Sequence, residues 1–261
     1  MMRNQRSYII CTTMRSGSTM LASGLRETGV AGLPDEYFAP PVRLPQAQVF
    51  EMEPARYREL LEEHRRTHPA EGVLRDIVEA GTTDNGVFGV KIHFQRPFSD
   101  FQNAVEVLQA CFDDRLASPH ELFNRAFPRL SYIWLRRSDR VAQAVSLFKA
   151  IRSSEFVRVE GANDPINPVG VEDFDFATIR RLADWLQSGD DGWRAFFKRH
   201  RIEPMTIDYE DLAANYEPTL RATLNYLGLS AQCPTIAHTR HHRQADTISE
   251  EWSMRYRKML A

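Results

Sequence analysis

Cysteine is scarce in this chain. The 261 residues include three, Cys11, Cys111 and Cys233, odd in number and far apart. That pattern argues against a disulfide framework or a cysteine-built metal site, and for a reducing compartment. Long apolar runs are missing as well. None approaches the ~20 residues of a membrane-spanning helix. The first apolar run is too short for a signal-peptide core and leads straight into a turn. A cytoplasmic protein without a membrane span is therefore expected. An excess of one charge is also absent. Thirty-three Lys and Arg stand against 35 Asp and Glu, a net charge of −2. No global basic field for nucleic acid follows from such a balance. There is no internal repeat and no low-complexity tract.

What is present is an alternation of strands and helices. Apolar runs at Tyr8–Thr12, Val87–Phe94, Ser131–Leu135 and Met205–Asp208 read as buried strands. The stretches between them suggest helices over Ser16–Thr28, Pro54–Thr67, Phe101–Phe112, Arg140–Ile151 and Phe176–His200, the last with a kink expected at Ser188-Gly189. Ser118-Pro119-His120-Glu121 has the form of a capped helix start. Pro218 opens a further helix toward Gly228, and Ser249 caps the last one. Ser153–Val171, rich in Gly, Asn and Pro, reads as a loop or lid. Strands alternating with helices predict an α/β fold: a P-loop-like, mostly parallel sheet with helices on both faces. The length fits a single domain over 1–261, with variable segments near 43–80 and 153–171.

The most informative stretch is residues 8–29, where a strand turns at Arg15-Ser16-Gly17-Ser18-Thr19 into a helix. A small, hydroxyl-rich turn before a helix N-terminus suits an anion, because free backbone N–H groups and the positive helix end face it. The nucleotide triphosphatase turn, G-x-x-x-x-G-K-[ST], uses its lysine on the outer phosphates and its hydroxyl on Mg²⁺. Here the lysine is missing and Arg15 precedes the one glycine. A second strand ends in Arg136-Arg137-Ser138-Asp139, where a Mg²⁺-dependent enzyme of this kind places an acid. Ligands of parallel sheets bind beyond the carboxyl ends of strands. Arg15 and Arg137 can therefore meet at one dianion, with Ser146 two turns into the following helix.

The bland readings are capping residues for the turn, solvated loop acids for Asp35 and Glu36, and packing roles for Lys91 and His93, which share one face of their strand. His238, His241 and His242 cluster in sequence, but no Cys or acid stands at a supporting spacing, so no metal site is expected. The four tryptophans read as packing residues. Two other functional readings use the same residues. One is a Mg²⁺- and ATP-dependent phosphotransferase, disfavoured by the missing loop lysine. The other is a non-enzymatic nucleotide-binding scaffold.

The two arginine-bearing motifs resemble the 5′-phosphosulfate loop and the 3′-phosphate site of sulfotransferases. Ile207-Asp208-Tyr209-Glu210-Asp211-Leu212 resembles the late strand and turn of that superfamily. The chain is most similar to the bacterial trehalose 2-sulfotransferase family, through RSGST (15–19), TGVAG and PDEYF (28–38), NGVFGVKIHF (85–94), AQAVSLFKA (142–150), DGWRAFF (191–197), and RQAD and EWSMRYR (243–257). These segments keep the family's order over nearly the whole chain.

The resemblance implies an enzyme that uses 3′-phosphoadenosine 5′-phosphosulfate (PAPS), releases adenosine 3′,5′-bisphosphate (PAP) and needs no metal. It implies a small-molecule or glycolipid acceptor with a carbohydrate hydroxyl, and a homodimer. It assigns Arg15, Ser16, Gly17, Ser18 and Thr19 to the 5′-phosphosulfate, and Arg137 and Ser146 to the 3′-phosphate. Arg243, Gln244, Ala245 and Asp246 belong to a segment closing over the nucleotide, with Tyr209 near the adenine. Glu36 matches the general base, and Arg15 joins it in catalysis. Leu33, Asp35 and Glu36 fall to the acceptor side; the shared strand face of Lys91 and His93 puts those two within reach of the acceptor or sulfonate if that face opens at the sheet end. Such a carboxylate base is expected to titrate near or above an unperturbed glutamate value of about 4.3. Two positions depart from the family: Leu33 stands where an acidic sugar contact is expected, and Ser138 replaces a proline.

Overall fold

The computed structural model describes residues 6–39, 55–56, 59–60, 62–63, 72–94, 100–156, 168–232, 236 and 246–260. Four strands form one parallel sheet: β1 (Arg6–Thr12), β2 (Val87–His93), β3 (Leu130–Arg136) and β4 (Met205–Asp208), in the order β2-β1-β3-β4. The register pairs Thr12 with His93 and Cys11 with Trp134. The carboxyl ends of the three longest strands thus lie side by side.

Nine α-helices accompany the sheet among the described residues. They are α1 (Ser18–Glu27), α2 (Val73–Ala80), α3 (Asp100–Phe112), α4 (Pro119–Ala126), α5 (Arg140–Ser153), α6 (Phe176–His200), α7 (Tyr209–Ala214), α8 (Tyr216–Tyr226) and α9 (Thr247–Leu260). Side chains alternate between the two faces of a strand, and both faces are covered. Ile9, Cys11, Val90, Ile92, Tyr132 and Trp134 pack against α3, α4 and α6 through Phe101, Leu108, Phe123, Trp193 and Phe197. Tyr8, Ile10, Ile133 and Leu135 pack against α1 and α8 through Leu21, Leu25, Leu220 and Leu224. A third cluster joins α5, α6 and α9 around Phe148, Leu186 and Trp252.

The helix starts correct several sequence expectations. α1 begins at Ser18 rather than Ser16, because Gly17 is the cap residue, with a left-handed φ of 84° and no side-chain cap bond. The last helix begins at Thr247, not after Ser249. Asp246 Oδ1 accepts from Ser249 N–H at 3.0 Å, so the capping carboxylate sits three residues earlier. α8 begins at Tyr216, two residues before Pro218. Tyr209–Ala214 is a short helix where a turn was expected. α6 is one 25-residue helix through Ser188 and Gly189. A glycine inside a helix costs about 1 kcal/mol relative to alanine. Burial of Leu186, Trp193, Phe196 and Phe197 along that helix outweighs it. The capped start at Ser118 forms as expected, with Glu121 N–H on Ser118 Oγ at 3.3 Å and Ser118 N–H on Glu121 Oε2 at 2.7 Å.

Helix α2 was not anticipated, although Val73, Leu74, Ile77 and Val78 follow helical spacing. Most of Pro54–Thr67 lies outside the described residues; 55–56, 59–60 and 62–63 are helical. In the expected loop Ser153–Val171, Ser153 ends α5, Val171 opens a 3₁₀ turn, and 157–167 lie outside the described residues. No described helix is long and apolar enough to cross a membrane.

Candidate active site

The turn after β1 is held from below by three other elements. Thr12 Oγ1 donates to Leu135 O at 3.0 Å and shares a short contact with Ser16 Oγ. Trp193 Nε1 donates to Thr12 O at 2.9 Å. Gln143 Nε2 donates to Thr13 Oγ1 at 3.1 Å and to Met14 O at 2.6 Å. Asp190, buried on α6, accepts from Thr13 Oγ1 at 3.4 Å and pairs with Arg140. These tethers fix where the turn's backbone points. Arg15 and Gly17 both adopt positive φ, 59° and 84°. Such residues can turn successive N–H groups toward one side, the geometry of an anion nest. Gly17 is also required sterically, since a Cβ there would lie 2.5 Å from the Tyr209 ring.

Two arginines and a serine converge beside this turn. Arg15 Nε donates to Ser146 Oγ at 3.0 Å, and a further Arg15 nitrogen donates to Phe156 O. Arg137 donates to Arg15 O at 3.2 Å, and its guanidinium lies 4.5 Å from the centre of the Tyr209 ring. Arg137 is buried and Arg15 partly so. Burial first, then the neighbouring Arg137 charge, lowers the Arg15 guanidinium to about 10. Two cations held this close in a half-dry setting favour an anion between them. Arg15, Ser16, Gly17, Ser18, Thr19, Arg137, Ser146 and Tyr209 are thus gathered at the carboxyl ends of β1 and β3. Arg136 turns elsewhere, to Asp208 at 2.7 Å. The Ser138 and Asp139 amides both donate to Glu210, each at 3.1 Å.

The residues expected on the acceptor side gather at the end of β2. Gly32, with φ 73°, lets the chain after α1 approach β2 closely, since a Cβ there would be 2.7 Å from Gly89 N. The segment then runs along the strand edge: Leu33 N–H donates to Gly81 O at 2.9 Å, and Lys91 N–H to Asp35 O at 3.0 Å. This places Glu36 beside Lys91 and His93. Lys91 Nζ lies 2.7 Å from Glu36 Oε1, and His93 Nδ1 lies 4.0 Å from the same oxygen. Lys91 and His93 are buried, while Glu36 keeps 42% of its side chain exposed. Burial would push the Glu36 carboxyl up. The His93 and Lys91 charges, with the Lys91 hydrogen bond, overcome it and hold the group low, at about 2. This reverses the expectation of a value near or above that of free glutamate. Asp35 is turned away: it pairs with Arg26 at 3.0 Å and accepts from Glu36 N–H at 2.8 Å.

Some expected residues fall elsewhere. Arg243, Gln244 and Ala245 lie outside the described residues, as do His238, His241, His242 and Cys233. Asp246 pairs with Lys149 and caps α9, which ties the end of that segment to α5. Sequence reasoning missed Asp100, Gln143 and Asp190. Asp100 opens a helix, which was its only local signal. Gln143 and Asp190 meet the turn across more than a hundred residues, and no spacing announces such contacts. Among the described residues, Glu36, His93 and Asp100 bring potential metal-ligand atoms within 4.8 Å of one another. Lys91 at 2.7 Å from Glu36 opposes a cation there.

The chain is similar to known proteins over almost its whole length. A protein named trehalose 2-sulfotransferase from Mycolicibacterium smegmatis is 30% identical, over 97% of this chain and 94% of that protein. One of the same name from Mycobacterium tuberculosis is 29% identical, over 98% of this chain and 96% of its own length. A crystal structure of a sulfotransferase from Alicyclobacillus acidocaldarius aligns with a TM-score of 0.45 at 13% identity, covering 98% of this chain and 92% of that one. Residues 7–259 match the family described as Stf0 sulphotransferase. The chain belongs to the Stf0 sulphotransferase family and is a sulfotransferase.

Proposed function

We propose that the chain transfers a sulfuryl group from PAPS to a hydroxyl of a carbohydrate or glycosylated small molecule, without a metal. The observation that carries this reading is the adjacency of two groups at one sheet edge. The Arg15–Arg137 cradle lies at the carboxyl ends of β1 and β3, and the Glu36–Lys91–His93 group lies at the carboxyl end of β2, with Thr12 and His93 in register. PAPS supplies a sulfur atom bearing a good leaving group. The acceptor oxygen bonds to sulfur, the bond from sulfur to the bridging oxygen breaks, and its electron pair leaves on the 5′-phosphate. Arg15 and the turn N–H groups stabilise that charge. Glu36 takes the acceptor's proton.

A carboxyl held at about 2 is a weak base for a free alcohol. It suffices when the proton moves late, because a hydroxyl already bonding to sulfur is strongly acidic. Lys91 suits the sulfonate oxygens as charge builds there. Arg137 and Ser146 are proposed to hold the 3′-phosphate, and the 243–246 segment to close over the nucleotide. The whole chain is proposed to act as a single domain. The two named relatives support a sugar acceptor, while Leu33 removes a polar contact expected for trehalose. A homodimer is part of the proposal on family resemblance, and light scattering that finds only monomers would count against it.

Calorimetric titration tests the donor site. PAP should bind without Mg²⁺ and far more tightly than AMP or ATP. Arg137→Ala should weaken PAP while slowing the saturated reaction little, since its phosphate does not react. Equal affinity for AMP and PAP would remove the 3′-phosphate site from the account.

A further inference from the structure

Asp100 opens α3, is 5% exposed, and takes two hydrogen bonds from one residue. Its Oδ2 lies 3.1 Å from His93 N and 2.8 Å from His93 Nδ1. A carboxylate can only accept, so the imidazole hydrogen of this contact sits on Nδ1. Glu36 Oε1 faces the same nitrogen from 4.0 Å. The nearer Asp100 therefore takes that hydrogen, and the farther Glu36 does not.

We propose that Asp100 is a positioning residue for proton removal from the acceptor. It fixes the orientation of His93 and keeps the ring hydrogen on Nδ1. That hydrogen is thereby withheld from Glu36, whose carboxylate stays open to the acceptor hydroxyl. His93 can carry positive charge beside Glu36 while Asp100, at the same Nδ1 edge of the ring, balances it. The inference rests on the reading of Glu36 as the proton acceptor. It gives the buried Asp100 a role that a bracket between β2 and α3 alone would not require.

Asp100→Asn separates the two roles. Asparagine keeps the size, and its carbonyl oxygen, placed where Oδ2 stands, can accept from both His93 N–H groups. Only the negative charge beside the ring is removed. The expected result is a normal fold, normal PAP affinity and a turnover lower by about 10²-fold, the lower end of what a placed proton-transfer group supplies. Nitrogen NMR of the histidine rings should show His93 as the Nδ1–H form in the neutral wild-type protein and in Asp100→Asn, and the loss of that form in Asp100→Leu, which has no acceptor. Combined with His93→Gln, the loss should be far from additive, because Asp100 acts through His93. Three results would overturn the proposal. They are a wild-type His93 protonated at Nε2, additive losses in the double variant, or a turnover loss wholly explained by reduced folding or PAP affinity. Should Asp100→Asn not fold, the wild-type ring spectrum decides alone. A wild-type protein that sulfates no acceptor would instead defeat the reading of the site, and the NMR result would stand apart from it.

Discussion

Glu36 and Asp35 are neighbours with opposite surroundings. Glu36 faces two potential cations, while Asp35 is spent on Arg26 and on the turn. Glu36→Gln should therefore fold, bind PAP and lose turnover by about 10²-fold or more. Asp35→Asn should keep most of its activity. Steady-state rates of both variants decide the assignment, and the reverse pattern would move the base one residue back. The pH dependence follows from the same contacts. An unperturbed glutamate titrates near 4.3, and Glu36 is held at about 2. Its proton is bound more readily in the unfolded chain, so the contact stabilises the fold above about pH 4.3 and is lost as pH falls toward 2. The wild-type rate should thus show no Glu36 limb near pH 4. Lys91→Met removes one of the cations and should bring an acid limb upward into the measurable range. Identical limbs in both proteins would contradict the coupling. Before the structure, Asp35 and Glu36 were indistinguishable except by resemblance. What separates them is the strand-edge bond from Lys91 N–H to Asp35 O, a contact between residues 56 apart.

At the scale of elements, the four strands and most helices were legible because their apolar residues follow periods of two and 3.6. The ends were less so. α1 starts at Ser18, capped by Gly17, rather than at Ser16, because only the folded turn shows that the Gly17 backbone is left-handed and pressed against Tyr209. The tethers under the turn were invisible, since they join β1 to α5 and α6 through long-range contacts. Gln143 is the clearest case: fully buried, it donates to Thr13 and Met14. Gln143→Leu keeps much of the volume but leaves those acceptors short of a donor. It should cost about 1–3 kcal/mol of stability, the usual penalty for an unmet buried polar group, and should weaken PAP by loosening the turn. Denaturant unfolding and calorimetry measure the two effects. A stability loss with unchanged PAP affinity would show that Gln143 holds the core but not the turn.

For the whole molecule, the parallel sheet brings together residues that are far apart in sequence. Segments 15–19, 33–36 and 137–146 come to one edge because parallel strands present their carboxyl ends there. The order of strands was not predictable from strand count, yet it is what puts His93 beside Thr12, and with it the Glu36 group beside the turn after β1. The proposed mechanism routes no step through a metal: it assigns the positive roles to arginines and a lysine, and the proton to a carboxylate. The central claim is sulfuryl transfer from PAPS to a sugar hydroxyl. Mass spectrometry of a carbohydrate panel, incubated with the protein, PAPS and a chelator, tests it most directly. The account predicts a singly sulfated sugar and an equal amount of PAP, with trehalose a poor acceptor because of Leu33. Transfer only to amines or phenols, or none without added metal, would contradict it.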